Sequence, residues 1–210
     1  MRNRLLWLSL LVLAISFGLV EFIGELAITE HRVTQVSILA ALLRINAVIM
    51  IALFVVSTML RELNDKTLEM IVAMPIARSS YYLGKLIGFI HLALIVTVCF
   101  SMLLLLYASG SQVLIWSVSL LLELVLIVVL ALVMIFTFRQ MPIALTGVFV
   151  FYAASRAIAS FHLMAMYPVI AHSSVSQKFI ERFIEVLTWL LPDLHLFTQT
   201  EWLAYDTGRF

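Results

Sequence analysis

Five ionisable residues stand inside apolar runs, where charge is costly: Glu21, Glu25, Arg44, Glu123 and Arg156. A charge in hydrocarbon needs a counter-charge or a path to water. Residues of these types can therefore line a route for a substrate or a proton, or form ion pairs that hold helices in register. Glu21 and Glu25 are one helical turn apart and can meet Arg44. Glu123 and Arg156 each fall about ten residues from the outer end of an apolar run, roughly 15 Å deep at a helical rise, and can pair across neighbouring helices.

Other chemistry finds little support. His91, His162, His172 and His195 are scattered without the spacing of metal ligands. Cys99 is the single cysteine, so the chain forms no internal disulfide. No Gly-rich loop ending in Lys-Ser/Thr occurs, and no Ser/His/Asp or Cys/His set clusters in one loop. The chain is not expected to be an enzyme, to bind a metal or to hold a cofactor of its own.

The elements that must position these charges are membrane helices. Of the 210 residues 64% are hydrophobic and only 12% charged, with a mean hydropathy of +1.13. A soluble domain is nearer half apolar and has no means of burying the excess. A net charge of +1 also excludes the strong basic field of nucleic-acid binders. Apolar runs long enough to cross the bilayer recur, and the expectation is an all-α, polytopic membrane helical bundle forming one domain. Its five spans cover about 5–25, 37–60, 84–108, 113–138 and 142–165. The opening "MRNRLLWLSLLVLAISFG" lacks a small-residue cleavage site and is read as a retained span. Pro142 suits the start of a helix after a break at Arg139.

Arg2, Arg4, Arg61, Lys66, Arg78, Lys85 and Arg139 fall on one side if the spans alternate, which makes the amino terminus and the 61–85 loop cytoplasmic. In "KFIERFIEVLTWLL" Lys178, Glu181, Arg182, Glu185 and Thr188 recur at helical spacing among large apolar residues. This pattern, over 178–191, predicts an amphipathic helix lying in the outer interface. Ser80, Gly84 and Gly88 form a small-residue stripe suited to close packing within the bundle or between subunits.

The loop "ELNDKTLEMIVAMPIARSSYYLGK" stands apart. Asn64 or Asp65 can cap a short helix that Pro75 must end, and Ser79 or Ser80 can cap the next span. Leu68, Ile71 and Val72 make an apolar face; Glu62, Asp65 and Glu69 make an acidic stripe, with Lys66 one turn from Glu62. A loop helix resting on lipid headgroups is the simplest reading. An acidic stripe suits an anionic inner leaflet poorly, however, which favours a protein partner.

Glu62, Lys66-Thr67-Leu68-Glu69, Pro75, Arg78, Tyr82 and Gly84-Lys85 together resemble the region between spans two and three of ABC-type-two exporter permeases. The branch most similar is the one loosely associated with copper-enzyme maturation. "WLLPDLHLF" resembles the stretch before that branch's last span. The resemblance implies a coupling helix docking on a separate P-loop ATPase subunit, which would bind ATP and Mg. The contacts would come from Glu62, Lys66, Leu68, Glu69, Ile71 and Arg78, with Pro75 setting the shape. It also implies export across the cell (inner) membrane by two paired permease subunits, identical or different. Family members begin with an amphipathic elbow helix, of which "MRNRLLWLSL" resembles the end, and carry a sixth span, before which this sequence stops. The alternative is a non-transporting membrane scaffold or assembly factor that recruits a cytoplasmic partner through 62–80.

Overall fold

The computed structural model describes residues 31–65 and 78–166, together with Gly18, Arg182 and Leu194. These residues form four helices and no strand: α1 (His31–Asn64), α2 (Arg78–Leu104), α3 (Gly110–Phe138) and α4 (Met141–Met166). Long runs of Leu, Ile, Val and Met make helices the natural solution, because in hydrocarbon every backbone N–H and C=O must be satisfied within its own segment. Gln35–Asn64, Ser79–Leu104 and Gly110–Phe138 are long and apolar enough to cross a membrane, whereas the apolar run Met141–Ala157 of α4 is shorter.

The breaks are local and tight. After α2 the chain turns at Leu105–Ser109, with the Tyr107 N–H donating to the Leu104 carbonyl at 3.0 Å. After α3, Arg139 adopts a left-handed conformation (φ 52°), and its N–H returns to the Ile135 carbonyl at 2.9 Å. The Gln140 carbonyl then accepts from Ala144 at 3.0 Å. Pro142 therefore falls in the first turn of α4, where its missing N–H has no partner to lose. Such short connections force antiparallel neighbours.

Helix α3 is the central element and packs against each of the other three. Trp116, Leu120, Leu124, Ile127, Ala131 and Ile135 recur at three-and-four spacing and are buried. They meet Leu43, Ala47, Ile51, Val55 and Met59 of α1 in one continuous core. Small residues at the contacts let the backbones approach; at Gly147 of α4 an added Cβ would come within 3.0 Å of Met134 Sδ on α3. On the outside, Ile87, Ile95, Met102, Leu114 and Val150 are exposed. That surface would be unfavourable in water and is ordinary against lipid.

Several helix ends extend beyond the sequence expectation. Residues 31–36 and 61–64, expected in loops, belong to α1, and 78–83 belong to α2. Ser79 and Ser80 thus lie within α2 rather than capping it. Gly110–Gln112, which precede the expected span 113–138, start α3. Apart from Gly18 and Arg182, the expected first span 5–25 and interfacial helix 178–191 lie outside the described residues, as does the loop 66–77.

Candidate functional site

Two polar constellations stand out against the apolar bundle. The first lies near the middle of the helices. Glu123 is about midway along α3, one helical repeat beyond Trp116 and one turn beyond Ser119, on the face that α3 turns inward. Its carboxylate has two cationic partners on different helices. One oxygen takes Arg44 Nη1 of α1 in a short, direct ion pair, fully buried on both sides. The other lies 3.5 Å from Arg156 Nη1 of α4. Arg44 also donates to Ser119 Oγ at 3.2 and 3.3 Å, and its guanidinium lies 5.5 Å from the Trp116 ring centre. Arg156 donates to the Tyr152 hydroxyl at 3.0 Å; its side chain retains 32% exposure, against 0% for Glu123. One carboxylate thus ties three helices together.

The expected contact of Glu123 with Arg156 is present, as the longer of the two. Arg44 was expected against Glu21 or Glu25, which lie outside the described residues. Its link to Glu123 was missed, although two signals were available. Arg44 shares its helical face with Ala40, Ala47 and Ile51, and within the expected spans 37–60 and 113–138 it lies at about the same depth as Glu123, counted from residue 60 in one and from residue 138 in the other.

The second constellation sits where α1 ends and α2 begins. Glu62 Oε1 accepts from Lys85 Nζ at 2.5 Å, and Oε2 accepts from the Tyr81 hydroxyl at 2.9 Å. Lys85 Nζ also lies 5.7 Å from the Tyr81 ring centre. Tyr81 and Lys85 are one turn apart on α2, so a single carboxylate spans both. This three-residue clasp joins α1 and α2 at the ends that flank residues 66–77. The sequence pattern placed Glu62 on the loop's acidic stripe beside Lys66, which lies outside the described residues; both Glu62 oxygens take partners on α2. Arg61 and Asp65 form only an exposed one-turn pair at 3.8 Å. Lys66, Leu68, Glu69, Ile71 and Pro75 lie outside the described residues, and Arg78 is placed by its backbone at the start of α2.

Beside the clasp an open groove of about 820 Å³ runs along α1 and α2, between Phe54, Tyr81, Lys85, Phe89 and His91. The Ser80, Gly84 and Gly88 stripe lines it, and a Cβ added at either glycine would meet nothing within 4 Å. Among the described residues the stripe therefore packs against no other helix. His91 Nδ1 is 2.8 Å from the Ile87 carbonyl of its own helix, and no group of acidic, His or Cys side chains among the described residues is arranged to hold a metal.

Compared with known proteins, the chain matches no family model, no curated relative and no solved structure.

Proposed function

We propose that this chain is the membrane-spanning subunit of an ATP-driven exporter. It couples ATP hydrolysis on a separate P-loop ATPase subunit to movement of a substrate across the cell membrane. The observation that carries this reading is the clasp. Glu62 fastens two long apolar helices together at the roots of one short loop, on the side where Lys and Arg concentrate. A force applied to the 66–77 segment is then delivered to α1 and α2 as a unit, which is what a coupling elbow must do. The resemblance of 62–85 to exporter permeases supports the same role.

In this account Lys66, Leu68, Glu69, Ile71 and Arg78 supply the docking contacts, Pro75 shapes the elbow, and Glu62 transmits rather than docks. ATP and Mg are held by the partner, and a second permease subunit completes the transporter. The amino terminus is cytoplasmic, because the basic loops must remain on the inner side.

The test is co-purification with a P-loop ATPase encoded beside this chain, followed by the charge reversals Glu69→Lys and Arg78→Glu. Each reversal is expected to abolish capture and stimulated ATP turnover. Survival of both activities in both variants overturns the reading. Capture without any stimulation of turnover would instead mark the chain as a recruiting scaffold.

A further inference from the structure

Among the described residues the charge balance at the centre of the bundle is incomplete. Arg44 and Arg156 bring two positive charges to one carboxylate, Glu123. Arginine does not relieve such an excess by losing its proton, and an uncompensated charge in a low-dielectric interior is expensive. Donors are also left over at the same place. Arg44 Nε is buried without a hydrogen-bond partner, and so is Trp116 Nε1, whose ring faces that guanidinium. Neither surplus suits a purely structural ion pair, which is most stable when charges and donors both balance.

The cluster can also be reached. Arg156 keeps about a third of its side chain exposed, and its neighbours on that helix surface, Val150 and Ala153, are exposed and apolar. A molecule arriving at this depth must have an apolar body and deliver its charge at one end.

We propose that Arg44 and Arg156, held apart by Glu123, form a binding site for a singly charged oxyanion borne on an apolar molecule. The group is a carboxylate or a phosphodiester, received near the middle of the membrane. One negative charge completes the balance, and oxyanion lone pairs accept from the partly exposed Arg156 guanidinium. Glu123 keeps the two guanidinium groups from repelling each other while the site is empty and limits the site to one anion. The inference does not depend on an ATPase partner, because binding is measured on this chain alone.

The experiment uses the full chain in maltoside detergent micelles, which carry neither carboxylate nor phosphate. Radiolabelled oleate is the carboxylate probe, radiolabelled phosphatidylglycerol the phosphodiester probe, and unlabelled oleyl alcohol the uncharged competitor. We expect saturable binding of at least one probe, with oleyl alcohol competing poorly. Arg156→Gln should weaken it roughly tenfold or more, the scale of one lost charge-assisted hydrogen bond. Arg156→Lys, which keeps the charge, should stay within a few-fold of wild type. Because Arg156 is partly exposed, both variants are expected to keep the wild-type helix content, checked by circular dichroism. Which probe binds identifies the acid. The proposal is overturned if neither probe binds saturably, as expected if Glu21 or Glu25 supplies the missing charge. It is equally overturned if Arg156→Gln binds like wild type, or if oleyl alcohol displaces the probe as well as the acids do.

Discussion

The central cluster and the loop-root clasp each rest on one carboxylate with two partners, but at the centre the partners come from two helices and at the clasp both come from α2. The two also differ in burial and in the cation used. Glu123 and Arg44 are buried to 0% and 2% exposure, whereas Glu62 and Lys85 keep 22% and 30%. Arginine at the centre offers a planar fork; lysine at the clasp is a flexible point charge that water can replace. A buried pair is costly to break because the surviving charge stays uncompensated. A part-exposed pair is cheap to break because solvent takes over. The centre therefore fixes which helices pack together, while the clasp joins α1 and α2 at their ends and can be broken without unfolding the bundle.

The largest effect should come from breaking the centre. Glu123→Gln leaves two arginines facing each other and is expected to cost about 3–5 kcal/mol, the usual penalty for removing one partner of a buried pair. The readout is reversible unfolding in mixed detergent micelles. The same assay sharpens the contrast inside the cluster. A double-mutant cycle of Glu123→Gln with Arg44→Gln should give a larger coupling energy than the cycle with Arg156→Gln. The Arg44 contact is direct and buried, while Arg156 stands 3.5 Å away and partly in the open. Equal couplings would dissolve the distinction between an anchoring arginine and a receptive one.

Next in size is the clasp. Tyr81→Phe and Lys85→Met should each lower stability by at most about 1 kcal/mol, far less than Glu123→Gln. A loss as large as that of Glu123→Gln would make the clasp a structural anchor of the bundle and erase its contrast with the centre. The smallest effect is expected on the outer face of α2. Gly88→Ala meets open space and should leave unfolding unchanged or slightly improved, since alanine favours helix over glycine. A marked loss of stability there would mean that the stripe is covered by something other than lipid.

Much of this architecture was legible in the sequence because hydrophobic length and helix continuity are local properties. The long apolar runs predicted α1 to α3 directly, and the polar break at Arg139–Pro142 marked the α3–α4 turn. The helix ends were misjudged for a physical reason: polarity marks where a chain leaves hydrocarbon, not where it stops being helical. α1 accordingly runs on through Arg61–Asn64, and α2 is already helical at Arg78. The cluster was half legible. Sequence depth suggested Glu123 with Arg156, but which helices adjoin is a matter of three-dimensional packing. Arg44 reached Glu123 because α1 packs directly on α3. The clasp was missed because Glu62 fits a one-turn pairing with Lys66 as well as any longer contact. Only the return of α2 beside α1 brings Tyr81 and Lys85 into its reach.

The central proposal is that the Glu62 clasp transmits what residues 66–77 receive, and ATP turnover by the chain bound to the proposed ATPase partner tests this most directly. Glu62→Gln keeps the side-chain shape and a hydrogen-bonding group while removing the charge that holds Lys85. The account predicts that this variant captures the ATPase as well as wild type does, while stimulated turnover falls toward the rate of the ATPase alone. Stimulation equal to wild type, at equal capture, would contradict it.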